Sequence, residues 1–163
     1  MKIKRILDHF EEYILLPSLT FSVGLIFVQV VMRYVFQHSL SWSEELARYI
    51  FVWQLWLGVS YAAKNQSHIR ITIIENFLNE AQRKILETIV IVIWFGFGCF
   101  VIVQGYKIAM QIGAYGQTSS ALGLPMVYAY MSVPVGASLM NIRLIQNLVG
   151  LYCKPNKPKA LEV

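Results

Sequence analysis

Residues able to bind or position another group are concentrated between Ser41 and Arg48. Ser41 followed three residues later by Glu44 is the pattern of a capping box, in which two side chains satisfy the free N–H groups at the start of a helix. Glu44 and Arg48 have the four-residue spacing of a helical ion pair. Glu45 has neither task, because it projects about 100° around the helix from Glu44. We therefore expect Glu45→Gln to be nearly silent for folding.

Catalytic and metal-binding chemistry is not indicated elsewhere. The three histidines, His9, His38 and His68, are scattered, and neither Cys99 nor Cys153 has a His or carboxylate positioned to activate it. We expect no enzyme activity, no cofactor and no metal.

The composition points to lipid as the solvent. The chain is 56% hydrophobic and 14% charged, with a mean hydropathy of +0.52, more apolar than soluble domains usually are. Its basic residues stand between long uncharged runs and not on one solvated face, so nucleic acid is not an expected partner.

Four stretches are long enough to cross a bilayer, which requires roughly 17–25 mostly apolar residues. They predict an all-α integral membrane protein of one domain, with spans at about residues 13–32, 41–64, 85–107 and 121–142. The turn-forming residues 113–120 separate the last two spans. Pro125 suits the first turn of the fourth helix, and Pro134 should kink it.

The segment between the second and third spans has helical periodicity of its own. Residues 71–80 carry apolar side chains on one face and polar ones on the other, which predicts a short amphipathic helix at the cytoplasmic interface. The alternative is a cytoplasmic extension of the third span, with Asn79 as the cap where the two pieces break. Residues 151–163 form a polar tail.

The distribution of basic residues predicts the orientation. Of the 14 Lys and Arg residues, 11 lie in the N-terminus, the loop between the second and third spans and the C-terminal segment, and the others are Arg33, Arg48 and Lys107. Basic residues favour the cytoplasmic side of a bacterial inner membrane, so both termini should be cytoplasmic.

In this topology Trp42 lies at the water interface, as membrane tryptophans often do. Trp53 lies about 16 Å further along the helix and needs a partner for its N–H. His68 falls in the cytoplasmic loop, where it would contact water or lipid headgroups.

The apolar runs at the centres of the predicted spans contain no charged residue. Proton relays and substrate paths in membranes are usually marked by such residues, and haem ligation in a bundle requires histidines within the spans. The sequence therefore favours an auxiliary role over transport or electron transfer by this chain alone.

The stretch from Arg33 to Ile69 resembles the small, DctQ-type membrane subunit of tripartite ATP-independent periplasmic (TRAP) transporters. The resemblance rests on Arg33, Tyr34, Phe36, Ser39, Leu40, Ser41, Trp42, Ser43, Glu44, Glu45, Arg48, Trp53, Gly58, Ala62, His68 and Ile69. Weaker agreement continues through Gly116, Leu124, Pro125, Tyr128, Pro134, Gly136 and Arg143. Thr72 departs from the pattern, since members often carry an acidic residue there.

The resemblance implies a complex in which a periplasmic binding protein delivers an organic acid and a large membrane subunit moves it with sodium. The small subunit would brace the large one, and Glu44, Glu45 and Arg48 would contact the large subunit or the binding protein. Two alternatives remain open: an autonomous four-helix transporter, and a structural or assembly subunit of a respiratory complex.

Overall fold

The computed structural model describes residues 2–38, 40–64 and 79–153, and this part of the chain is helical without strands. The helices are α1 (Lys2–Tyr34), α2 (Ser41–Lys64), α3 (Glu80–Ala114), α4 (Val127–Tyr130) and α5 (Ser132–Cys153). His68, residues 71–78 of the predicted amphipathic segment and the tail from residue 154 lie outside the described residues.

The helix bounds agree with the predicted spans most closely at α2, which begins at Ser41 and ends at Lys64. Helix α1 contains the predicted residues 13–32, and α3 extends beyond residues 85–107 at both ends. Asn79 is the N-cap of α3, and its N–H donates to Gln82 Oε1 at 3.1 Å. This position was the break expected in the alternative interpretation of the loop.

The fourth predicted span, residues 121–142, does not match one helix. Residues 121–126 belong to a loop, Met131 separates α4 from α5, and α5 continues to Cys153. Pro134 does not lie mid-helix as expected, because it falls in the first turn of α5, and the helical run is interrupted at Met131, three residues before it. Arg143 does not end the helix either, because α5 continues to Cys153. The Arg143 guanidinium donates to Gln146 Oε1 at 2.9 Å, one turn further along the same helix.

The long helices form an open row in which α1 packs on α2, α2 on α5 and α5 on α3. Where α2, α3 and α5 meet, Ala63, Met140 and Leu144 form a buried cluster. Trp94 and Phe95 of α3 pack against it. Apart from this cluster few large side chains are buried, and large apolar residues cover the outer surfaces of the row.

Within the described residues, two helical segments are long and apolar enough to cross a membrane: Tyr13–Tyr34 in α1 and Ala81–Ala114 in α3. Helices α2 and α5 are more mixed in composition, because they occupy the middle of the row and carry the polar residues that bond to their neighbours, among them Gln54, Asn141 and Asn147.

Close approach of α2 and α5 depends on Gly136. A Cβ atom there would lie 2.5 Å from Trp56 Cβ and 3.1 Å from the Trp56 carbonyl oxygen, and backbone atoms of a helix cannot move aside cheaply. Small residues commonly allow such approach between membrane helices.

We expect Gly136→Ala to lower the free energy of unfolding by about 1–3 kcal/mol through overpacking. Gly150→Ala is the matched control in the same helix, because a Cβ there meets nothing within 4 Å, and it should be neutral or stabilise by up to about 1 kcal/mol through helix propensity. Thermal unfolding of both variants in one detergent measures the difference. Equal stabilities would contradict close α2–α5 packing.

Candidate functional site at the start of helix α2

The first turn of α2 is held by Ser43 and not by the predicted cap, Ser41. Ser41 is the first helical residue, so Leu40 stands at the preceding position. The N–H and the hydroxyl of Ser43 donate to the Leu40 carbonyl at 3.1 and 2.8 Å. Both groups of Ser43 act as donors to a carbonyl, so they do not satisfy the free N–H groups at the start of α2, and the capping box expected of Ser41 and Glu44 is not formed.

Glu44 and Arg48 form the expected ion pair, with Arg48 Nη2 3.2 Å from Glu44 Oε1. Their side chains are 51% and 68% exposed, respectively. An exposed pair at this spacing contributes only a few tenths of a kcal/mol, so both side chains remain accessible for other contacts.

Glu45 has a different environment, because its carboxylate lies against the loop that joins α3 to α4. Oε1 accepts from the Ser120 hydroxyl at 2.7 Å and from the Ser120 N–H at 3.1 Å. Oε2 accepts from the Ser119 hydroxyl at 2.6 Å and from the N–H groups of Ala121 and Leu122, both at 3.0 Å. Five donors therefore converge on one carboxylate.

The loop presents these donors because it folds back on itself as a short hairpin. Ser119 N–H bonds the Leu124 carbonyl at 2.8 Å, and Met126 N–H bonds the Gln117 carbonyl at 2.9 Å. Gly116 and Gly123 have φ angles of 62° and 65°, which glycine adopts without the steric cost that other residues incur. Successive N–H groups in such a turn form a concave nest that binds anions. Here the anion is the chain's own Glu45.

The premise that Glu45→Gln is nearly silent for folding is wrong in this geometry. A glutamine would replace one acceptor oxygen by an NH₂ donor, which would face donors in the loop. The sequence offered two separate signals, a carboxylate without a local task and a Gly- and Ser-rich turn. They lie more than 70 residues apart, and no local spacing rule connects them.

The remaining predicted site residues are spread along the chain. Trp53 Nε1 donates to the Tyr128 carbonyl at 3.1 Å, which provides the partner that a deep tryptophan needs. Trp42 is 46% exposed beside the start of α2, and Arg33 is exposed in the last turn of α1. Among the described site residues, Glu45 is the one bonded to the hairpin, Glu44 and Arg48 pair with each other on the first turns of α2, and Trp53 bonds the α4 carbonyl.

Several bonds between helices were not predicted from the sequence, among them one between the hydroxyls of Thr88 and Tyr152 at 3.1 Å. Gln54 Nε2 donates to Ser22 Oγ at 3.0 Å across the α1–α2 contact. Asn147 Nδ2 donates to the Ala63 carbonyl at 2.7 Å, in the last turn of α2. Asn141, which packs against Gly98, has its Nδ2 3.5 Å from Cys99 Sγ. Isolated polar residues in apolar runs were the available signal, but their partners depend on which helices are neighbours.

The arrangement around Glu45 is suited to anchoring. A carboxylate that accepts five hydrogen bonds holds its donors in place, and its lone pairs are not free to receive a proton from a substrate. Across residues 13–38, 40–64, 79 and 81–152, no group of three or more His, Cys, Asp or Glu side chains is placed to hold a metal ion.

We expect Glu45→Gln to release the hairpin, so that the backbone amides of Ser120, Ala121 and Leu122 exchange with solvent at least about tenfold faster. Glu44→Gln is the control, because Glu44 contacts Arg48 and not the loop. Hydrogen exchange read by mass spectrometry compares the two variants. Unchanged exchange in Glu45→Gln would contradict the anchoring role.

Comparison with known proteins identifies the family to which this chain belongs. A family model described as tripartite ATP-independent periplasmic transporters, DctQ component, matches residues 22–154. The isethionate TRAP transporter permease protein DctMQ of Oleidesulfovibrio alaskensis is 35% identical over 148 residues, which cover 87% of this chain and 23% of the relative. The chain thus spans about a quarter of that relative.

Two further relatives are matched over most of their length. The sialic acid TRAP transporter small permease protein SiaQ of Vibrio cholerae is 29% identical over 91% of this chain and 85% of the relative. The C4-dicarboxylate TRAP transporter small permease protein DctQ of Rhodobacter capsulatus is 25% identical over 90% of this chain and 78% of the relative. The chain belongs to the DctQ component family of tripartite ATP-independent periplasmic transporters.

Proposed function

We propose that this chain is the small membrane subunit of a sodium-driven uptake system for organic acids, and that it braces a large membrane subunit without moving substrate itself. The observation that carries the proposal is the use of Glu45, whose carboxylate accepts five hydrogen bonds from the hairpin and so holds a loop. Family membership supports the transport role, and the uncharged cores of the helices support the auxiliary one.

All four long helices would cross the membrane. At 1.5 Å per residue, the 24 residues of α2 and the 22 of α5 extend about 36 and 33 Å, enough for a hydrocarbon core of about 30 Å. Both lie in the same row as the apolar helices α1 and α3. Their polar side chains bond to neighbouring helices, which is how such groups are tolerated in lipid.

The distribution of basic residues supports a topology in which both termini and the loop that contains His68 are cytoplasmic. The hairpin and the start of α2 then lie at the periplasmic surface of the bacterial inner membrane. The segment of residues 71–80 would rest on the cytoplasmic interface as an amphipathic helix.

The substrate class comes from the relatives, which are named for isethionate, sialic acid and C4-dicarboxylate. These acids differ in size and shape, although the small subunits are similar in sequence. Selection among organic acids would therefore be made by the large subunit and by a periplasmic substrate-binding protein. Trp42, Glu44 and Arg48, exposed beside the anchored hairpin, form the surface offered to that binding protein.

The two alternatives predict different behaviour. An autonomous transporter would need a polar path through a single chain, whereas the amides of Gln54, Asn141 and Asn147 within the helices are bonded to neighbouring helices. A subunit of a respiratory complex would be isolated with haem or flavin. The relatives are transporter components, which supports neither alternative and fits a protein that is not an enzyme.

For the orientation, we expect a periplasm-active reporter fused to the C-terminus to be inactive and one inserted in the hairpin at residues 120–121 to be active. Both fusions are compared with a cytoplasm-active reporter at the same sites. Activity of the C-terminal fusion in the periplasm would reverse the proposed topology.

For the auxiliary role, we expect liposomes containing this chain alone to show no sodium-dependent uptake of organic acid. Uptake should require the large subunit and the binding protein in the same preparation. Radiolabelled substrates of the three classes named above serve as probes. Uptake by the chain alone at a rate close to that of the full system would refute the bracing function.

A further inference from the structure

A groove of about 400 Å³ lies between α2 and the segment that joins the hairpin to α5. Arg48 lines it near the start of α2, and Val52 lies one turn further along that helix. Ala129 and Val133 line it from the side of α4 and α5. Both α2 and α5 run from the periplasmic surface toward the cytoplasm in the proposed topology, so the groove leads from the water interface into the hydrocarbon core.

The mouth of this groove carries one charge of each sign. Arg48 lines the groove, and its Nη2 atom lies 3.2 Å from Glu44 Oε1. Glu45, the next carboxylate of the same helical turn, is occupied by the hairpin. A guanidinium binds phosphate and a carboxylate binds an ammonium group. A headgroup that carries both charges is therefore matched at the mouth, whereas an anionic headgroup would lie beside two carboxylates.

Tyrosines indicate the depth of the mouth in the membrane. Tyr130 lines the groove and is 41% exposed, and Tyr128 of the same short helix is 60% exposed. Exposed tyrosine side chains are enriched at the level of the lipid headgroups, and the face of an aromatic ring attracts ammonium groups. The mouth therefore lies where headgroups lie, and the apolar walls below it suit an acyl chain.

Tyr49 supplies an unused hydrogen-bond donor beside the groove. Its side chain belongs to the lining, and its hydroxyl is enclosed by protein without a hydrogen-bond partner among the described residues. Such a hydroxyl has lost its bonds to water without replacing them, which is unfavourable. A ring turned toward the groove would let the hydroxyl donate to an ester or phosphate oxygen of a bound lipid.

We propose that this groove binds a zwitterionic phospholipid with a primary ammonium headgroup. The phosphate contacts Arg48, and the ammonium group contacts Glu44 and Tyr130. One acyl chain lies along Val52 and Val133. The inference rests on the proposed function, because it requires α2 and α5 to cross the membrane. A helix of another protein would fill the apolar walls but would not account for the two charges at the mouth.

The site also bears on the surface proposed for the binding protein. Glu44 and Arg48 belong to that surface, so a bound headgroup would become part of what the start of α2 presents to the periplasm. A small organic acid is a poor occupant of the groove itself, because it would leave the apolar walls at Val52 and Val133 without contacts.

The test reconstitutes the complex of this chain and the large subunit in nanodiscs. Each preparation contains a phosphatidylethanolamine or a phosphatidylglycerol probe with a photoreactive acyl chain, at equal mole fraction. Peptides that span residues 48–52 and 126–133 should be labelled at least about fivefold more by the ethanolamine probe. Equal labelling by the two probes would show ordinary boundary lipid, and absence of label at these residues would show that another occupant fills the groove. Either result would overturn the proposal.

A pair of charge variants tests the role assigned to Glu44. Glu44→Gln should abolish the preference for the ethanolamine probe. Glu87→Gln is the matched control, because Glu87 also forms an ion pair at four-residue spacing but lies on α3, away from the groove. A preference that persists in Glu44→Gln, or that is lost equally in both variants, would contradict recognition of the headgroup at the mouth.

A pair of bulky variants tests occupation of the groove. Ala129→Trp places an indole in the groove and should reduce labelling by the ethanolamine probe several-fold. Ala114→Trp, at an exposed position in the last turn of α3 and outside the groove, should leave labelling unchanged. Thermal unfolding of both variants checks that they are folded. Unchanged labelling in folded Ala129→Trp would overturn the site.

The wild-type protein distinguishes failure of the site from failure of the proposed function. If the wild-type chain recovers no large subunit in mild detergent, the proposed function fails, and labelling of this chain alone in nanodiscs still decides the lipid site. If the complex is recovered but the two peptides show no preference for the ethanolamine probe, the lipid site alone is wrong.

Discussion

The bonding of the Glu45 carboxylate to the hairpin is the interaction on which the connection of the helices depends. The loop must turn the chain from α3 into α4 and α5, and it contains two glycines with positive φ. Without an anchor such a loop would sample many conformations, because backbone freedom costs about 1–2 kcal/mol per ordered residue. Convergence of Ser119–Leu122 on one acceptor fixes the end of α3 relative to the start of α2.

Elsewhere the helices are held together by a few hydrogen bonds at different positions along their lengths. Gln54 ties α2 to α1, Trp53 ties α2 to α4, and Asn147 ties the end of α2 to α5. Lipid tails are as apolar as leucine, so burial of apolar surface between helices gains little, and polar bonds with close small-residue contacts carry more of the specificity. The Asn141–Cys99 and Thr88–Tyr152 bonds join α5 to α3, so α2 and α5 together hold the row.

Structural features that involve residues close together in the chain could be predicted from the sequence. The bounds of α2 and the Glu44–Arg48 pair follow from residues at most one turn from their partners. The Glu45 anchor and the Gln54–Ser22 bond could not be predicted, because each joins residues brought together by helix packing. The end of the last helix was misplaced at Arg143 because the charge of this residue was taken as the membrane boundary. In the structure, the Arg143 side chain bonds to Gln146 of its own helix, and α5 continues to Cys153.

The central claim is that an open row of helices, internally fixed at Glu45 and at α2, serves as a brace for a larger membrane protein. Native mass spectrometry of the tagged chain released from its own membranes tests this claim most directly. The account predicts a hetero-complex that contains this chain and one larger membrane protein, and no stable homo-oligomer. A spectrum in which the chain occurs only alone, or only with copies of itself, would contradict it.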